Sequence, residues 1–240
     1  MSEVKERPIL FSGPMVRAIL EGRKTQTRRV VKCDHTNPEA YLLGVHKGVW
    51  GIHKDVDFDG DVWRGTCPYG VTGDRLWVRE SFWQASYYPS TMPCGEPSSQ
   101  RDNWGSLVKY AADGDPENTP NRHYPDGLQN GAISAPNPYA AWHKRPSIHM
   151  PRKRSRITLE ITGVRVERLN EISEEDALAE GVEPTPMNDA KVAFDNLWVK
   201  INGPGSVDAN PFVWVIEFKP LSLSSTVDQK VDFRTKGATE

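Results

Sequence analysis

The chain has 240 residues, 37% hydrophobic and 26% charged, enough for one substantial domain with insertions or two small ones. A net charge of −2 excludes a field that draws polyanions to the whole surface, and a mean hydropathy of −0.60 with no run near the roughly 18 apolar residues of a membrane span excludes a membrane-embedded chain. Three cysteines exclude a disulfide framework and predict a reducing, cytoplasmic setting, and Met1 to Arg7 is too polar for a signal peptide.

Arg7 to Phe11 reads as a short apolar strand leading into a helix over residues 14–21. Ser12 stands where it can cap that helix, and Pro14 sits in its first turn, where a missing N–H costs little. Met15, Val16, Ile19 and Leu20 form one apolar stripe. Gly22 occupies the place of a left-handed terminating residue. Thr25 to Val31 then predict a strand, with Thr25, Thr27 and Arg29 sharing one face.

The turn between them concentrates Arg23, Lys24, Thr25, Thr27, Arg28 and Arg29 beside a helix end. Such a segment is either a solvated basic strand edge or a site. A threonine hydroxyl is a weak nucleophile that needs a base, and a lysine serves only when burial or cationic neighbours lower its pKa. Lys24 and Thr27 have opposite strand parity, so they converge only if Lys24 belongs to the turn. A carboxylate from elsewhere must shuttle the proton, and spacing alone does not choose among 32 acids.

Residues 33–66 lose the pattern, with strand character only at Tyr41–Val45 and Val49–Ile52, and predict a surface hairpin or insertion. Cys33-x-His35 and a lone Cys67 supply three ligands without a matched second pair, so no metal site is expected; Cys94 is a surface thiol. No phosphate-loop or dinucleotide fingerprint is present, and no cofactor is expected. Arg75 to Glu80 alternates as a half-buried strand, placing Leu76 and Val78 on the core side and Arg75, Trp77 and Arg79 opposite. Residues 84–150, rich in proline and glycine, predict a long excursion with islands at Trp104–Ala111 and Tyr139–Trp142. Between Gly127 and Leu159 there is no acidic residue, while Lys144, Arg145, Arg152, Lys153, Arg154 and Arg156 cluster there. That cluster is either a solubilising strand entrance or a phosphate-attracting patch, with Tyr139 and Trp142 available for base stacking.

Ile157 to Leu169 returns to β alternation. Ile172 to Gly181 predicts a helix capped by Ser173, with Asp176 at the third helical position and Gly181 as terminator. A further helix is expected over 191–199, and Phe212 to Phe218 reads as a buried strand; residues 222–240 read as a disordered tail. The order of elements lacks a βαβ rhythm and predicts an α+β domain around a small curved sheet or barrel.

The segment Ile19-Leu20-x-Gly22-x-Lys24-Thr25-x-Thr27-x-Arg29 resembles the signature of ASCH domains, a branch of the PUA-like superfamily that includes small bacterial N(4)-acetylcytidine amidohydrolases. Thr72-Gly73-Asp74-x-Leu76-x-Val78, Ile172 to Gly181 and Val215-Ile216-Glu217-Phe218 continue the likeness in order along the chain. The resemblance implies a single domain over 7–221, a PUA-like small β-barrel with flanking helices, with insertions at 33–66 and 84–150. Larger ASCH proteins with such insertions resemble phage and prophage products. It also implies a catalytic Lys24, Thr27 and Glu180, although Glu174, Glu175 and Asp176 compete for the last role.

The leading expectation is hydrolysis of an amide on a modified base of the acetylated-cytidine type. Arg23, Thr25, Arg28, Arg29, Arg79, Arg152, Arg154 and Arg156 would hold the ligand: a nucleoside, a nucleotide or single-stranded RNA. A non-catalytic nucleic-acid-binding module and a phage morphogenesis or host-interaction protein are the two other readings.

Overall fold

A computed structural model describes residues 3–32, 41–46, 49–53, 62–87, 108–118, 120, 132–134 and 140–223. The strands are β1 (Glu6–Leu10), β2 (Gln26–Val30), β3 (Tyr41–His46), β4 (Val49–His53), β5 (Val62–Gly65), β6 (Arg75–Arg79), β7 (Phe82–Tyr87), β8 (Val108–Tyr110), β9 (Ala132–Ser134), β10 (Ala140–Arg145), β11 (Ile157–Arg168) and β12 (Phe212–Leu223). Among the described residues three α-helices join them: α1 (Gly13–Leu20), α2 (Glu174–Ala179) and α3 (Ala190–Asn202). The fold is mixed α+β with sheets predominating.

The described residues divide into two compact units: those within Met1–Ser81, Ala111–Asp113 and Pro146–Leu223, and those within Phe82–Tyr110 and Gly114–Arg145. The first is built on a five-stranded sheet in the order β1-β6-β11-β12-β2. β1 pairs with β6 in parallel; the other pairings are antiparallel. The sheet is open, and no closed barrel forms among the described residues. The two strands that flank α1 fall at opposite edges, because β1 is taken by β6 and β2 by β12.

Period-two alternation along β12 divides its side chains between two cores. Trp214, Ile216 and Phe218 pack with Ile9, Val16, Ile19, Leu76, Val78 and the β11 isoleucines under α1. Val213 and Val215 pack on the other face with Leu169, Ile172, Ala177, Phe194 and Trp198, beneath α2 and α3. Each helix is therefore fixed by an apolar stripe on one side of the same sheet.

Local signals account for most helix ends. Ser173 Oγ accepts the Asp176 N–H at 3.1 Å, and Asp189 caps α3 through the Val192 N–H at 2.8 Å. Ser12 occupies the N-cap place of α1, but its hydroxyl makes no capping hydrogen bond; its carbonyl accepts the Val16 N–H instead.

Between β2 and β6 the strands expected at Tyr41–Val45 and Val49–Ile52 form as β3 and β4, and β5, which was not expected, joins them in an antiparallel sheet. Trp50 from β4 meets Trp214 edge-on, with centroids 6.0 Å apart. The second unit is a four-stranded antiparallel sheet, β8-β7-β10-β9. Within it Trp83 donates its indole N–H to Asp115 at 3.0 Å and carries the Lys144 ammonium over its ring. β12 runs to Leu223, so Ser222 and Leu223 belong to a strand and not to the expected tail, and residues 224–240 lie outside the described set. Cys33, His35 and Cys94 also lie outside it. Cys67 is buried, and no metal-holding cluster occurs among the described residues. No described helix is long and apolar enough to cross a membrane.

Candidate active site

Gly22, at φ +76°, ends α1 by donating to the Ile19 carbonyl, and the N–H groups of Arg23 and Lys24 both reach Ala18 O. Lys24 thus leaves the helix within the turn, not as a regular strand residue. It forms an isolated antiparallel bridge with Glu180, and the next N–H, of Thr25, donates to Ala179 O. Glu180 is itself the C-terminal cap of α2, followed by Gly181 at φ +82°. Two helix ends are stitched together here by backbone.

The side chains complete the join. Lys24 Nζ donates to the Glu180 carbonyl at 2.7 Å and to Glu180 Oε2 at 2.8 Å, with both side chains buried. Burial pushes the Lys24 ammonium pKa below that of a free lysine, against the upward pull of Glu180, and the nearby Arg29 and Arg28 charges add to the lowering.

Beyond the turn, β2 regains strand parity. Gln26 and Arg28 point toward α2. Gln26 donates to the Asp176 carbonyl and carboxylate, and Arg28, wholly buried, donates to Glu167 at 2.6 Å, Asp176 at 3.0 Å and Glu180 Oε1 at 3.2 Å. Arg165 closes the outer side of this network through Glu167, Asp176 and Glu217. Thr27 and Arg29 take the opposite parity. Thr27 Oγ1 is buried and accepts from Arg29 Nη1 at 3.0 Å, while Arg29 Nη2 donates to Leu10 O at 2.9 Å. Lys24 Nζ lies 5.5 Å and the Arg29 guanidinium 5.4 Å from the centre of the Phe11 ring. Lys24 and the Thr27–Arg29 pair therefore meet at that ring despite their opposite parity.

A cavity of about 700 Å³ opens beside this cluster. Its wall includes Arg28, Arg29, Arg79 and Glu180 among apolar and aromatic side chains such as Phe11, Phe194 and Trp198. Neither Lys24 nor Thr27 belongs to that wall; Glu180 is the member of the expected triad that does.

The other expected binding residues are dispersed. Arg23 is exposed and paired with Glu21 and Glu183, and Thr25 is exposed. Arg152, Lys153 and Arg154 form a short 3-10 turn, where Arg152 bonds Glu6 at 2.9 Å and Thr158 at 3.2 Å. Arg156 does not face outward with them. It is 6% exposed and donates twice to Glu80 and twice to Asp113, because a buried guanidinium needs its charge matched. The basic run is therefore not a continuous phosphate-gripping surface.

Glu167, Arg165 and Glu217 were not foreseen. Their signal was the alternation of β11, which puts Arg165 and Glu167 on one face two residues apart. Phe11 and Trp198 read as ordinary core aromatics and gave no signal of their place around the site. Comparison with family models, with curated proteins and with solved structures found no match.

Proposed function

We propose that the first unit is an ASCH-type domain, PUA-like in ancestry, that binds a nucleoside and hydrolyses an amide on its modified base. The observation that carries this reading is the position of Glu180, which lines a small-ligand-sized cavity and at the same time pairs with the buried Lys24. A cavity of about 700 Å³ with a few convergent polar groups suits one nucleoside, not a polynucleotide.

In this reading water attacks the acetyl carbonyl carbon of an N-acetylated base. Glu180 takes the proton from that water and returns it to the departing exocyclic amine of the base as the C–N bond breaks, leaving acetate and the free amine. Lys24 shares the proton with Glu180 across their 2.8 Å hydrogen bond, helped by its lowered pKa. Arg28 donates to Glu180 Oε1 at 3.2 Å and so fixes that carboxylate on the wall. Water takes the nucleophile's part because the Thr27 hydroxyl is buried and engaged with Arg29, which it positions.

The test is incubation with N(4)-acetylcytidine and chromatography for cytidine and acetate. Release that disappears in Glu180→Gln supports the reading; no release by folded protein overturns it. One observation favours a non-catalytic binder as the second reading: Lys24 and Arg28 are already paired with carboxylates, as structural cations are. Saturable cytidine binding without turnover would select it.

A further inference from the structure

Two guanidiniums on the cavity wall have no carboxylate partner among the described residues. Arg29 donates to three neutral oxygens: Thr27 Oγ1, Arg28 O and Leu10 O. Arg79 lies with its guanidinium 5.5 Å from the Trp77 ring centre, and its buried Nε has no hydrogen-bond partner. The two converge on Leu10. Arg29 donates to its carbonyl, and Arg79 is its register partner across β1 and β6.

The far wall differs. Arg28 is enclosed by Glu167, Asp176 and Glu180, and the Glu180 charge is balanced by Lys24 and Arg28, one on each carboxylate oxygen, so this side of the wall carries no excess positive charge. Phe194 and Trp198 stand there with centroids 5.8 Å apart, and Arg28 lies over the Phe194 ring. Trp198 is 5% exposed. The cavity is thus cationic beside Leu10 and aromatic beside Phe194 and Trp198.

We propose that the ligand is a nucleoside 5′-monophosphate, its phosphate between Arg29 and Arg79 and its base against Phe194 and Trp198. This rests on reading the cavity as a nucleoside site. Planar guanidiniums match phosphate oxygens, and uncompensated positive charge in a recess of low dielectric favours a dianion over a neutral ribose hydroxyl.

The experiment is calorimetric titration of the full chain with cytidine, cytidine 5′-monophosphate, inorganic phosphate and a short single-stranded oligocytidylate. The monophosphate should bind at least ten-fold more tightly than cytidine, and phosphate alone far more weakly than the monophosphate. That ten-fold ratio should shrink toward one in Arg79→Gln and be partly kept in Arg79→Lys, with thermal unfolding confirming that both variants fold. Equal affinity for cytidine and its monophosphate overturns the proposal, as does inorganic phosphate binding as tightly as the nucleotide, tighter binding of the oligonucleotide, or binding of none of the four. Hydrolysis of acetylcytidine with no advantage from phosphate would sink this inference and leave the catalytic reading standing. A strong phosphate preference without hydrolysis would do the reverse.

Discussion

Gly181 and Lys24 are packed so closely that a Cβ added to the glycine would stand 2.8 Å from the lysine Cβ, and equally close to Ala18 Cβ. The glycine also holds φ +82°, a conformation that other residues adopt with strain. Both facts serve one purpose: they let the end of α2 approach the turn after α1, where the Lys24–Glu180 bridge forms.

Gly181→Ala should therefore destabilise the fold by about 2 kcal/mol or more, from overpacking and backbone strain together. Urea unfolding would measure it. Gly22→Ala, at φ +76° but with open space around the added carbon, should cost less. Equal costs for the two would show that the close approach to Lys24 is unimportant.

Kinetics divide the polar residues of the turn by role. Glu180→Gln should lower turnover of the acetylated nucleoside by about a hundred-fold or more, as expected for loss of a positioned proton carrier. Lys24→Met should lose a similar factor and also about 3 kcal/mol of stability, since it strips the buried Glu180 carboxylate of one of its two cationic partners. The double variant should lose little more than either alone, because the two act as a unit. Thr27→Ala should cost only a few-fold, through a less fixed Arg29. A Thr27→Ala variant as dead as Glu180→Gln would reinstate the hydroxyl as nucleophile.

Acid should unfold the protein through two carboxylates in particular. Burial of Asp74 opposes its ionisation, but the Lys5 and Val71 N–H groups and Arg7 overcome this and hold its pKa below 3.8. Asp176 is likewise penalised by burial and then brought below 3.8 by Gln26, Arg28 and Arg165. Each group has a lower pKa folded than unfolded, so its stabilisation is complete above the unfolded value and is lost as pH falls through the folded one. Asp74→Asn and Asp176→Asn should each flatten the acid limb of stability against pH while lowering stability at neutral pH. An unchanged limb in both would contradict the assignment.

The basic segment before β11 should split into one indispensable residue and several dispensable ones. Arg156→Met should destabilise by about 3–5 kcal/mol, because it leaves Glu80 buried without its counter-charge. Arg152→Ala, whose pair with Glu6 is exposed, should change stability by about 1 kcal/mol or less. Any binding of single-stranded RNA should depend weakly on salt, well under the roughly 0.7 log units per log salt for each of several phosphate contacts. A steep slope that Arg152→Ala and Lys153→Ala reduce would restore the polynucleotide reading of this surface.

What the sequence disclosed was mostly local. Ser173, Gly181 and Gly22 announced helix ends because capping and left-handed turns are decided within a few residues. Leu76, Val78 and the alternating residues Ile157, Leu159 and Ile161 of β11 announced their faces for the same reason. What stayed hidden depends on partners far along the chain. Arg28 reads in sequence as a cation that holds the ligand, and only the register of β2 against β12, with α2 alongside, makes it a fully buried centre bonded to three acids. Arg156 was misread in the same way, since Glu80 and Asp113 lie 76 and 43 residues away. The sheet of the second unit was legible only in the islands at Trp104–Ala111 and Tyr139–Trp142, which hold β8 and the start of β10; β7 and β9 lay hidden in a stretch rich in proline and glycine, where pairing with β10 overrides weak local preference.

The Lys24–Glu180 bridge spans 156 residues, and β2 is anchored on one side by β12 alone within its sheet. During synthesis the whole chain up to Pro211 leaves the ribosome before that anchoring strand exists. Until then Lys24 and Arg28 remain hydrated charges on a nascent chain, and the apolar underside of α1 lacks Trp214, Ile216 and Phe218. Such late closure of a non-local core favours slow folding and exposure to chaperones over growth from the N-terminus. A stalled chain ending before β12 should be protease-sensitive in its first thirty or so residues, and release of the complete chain should protect that region and create the cavity together.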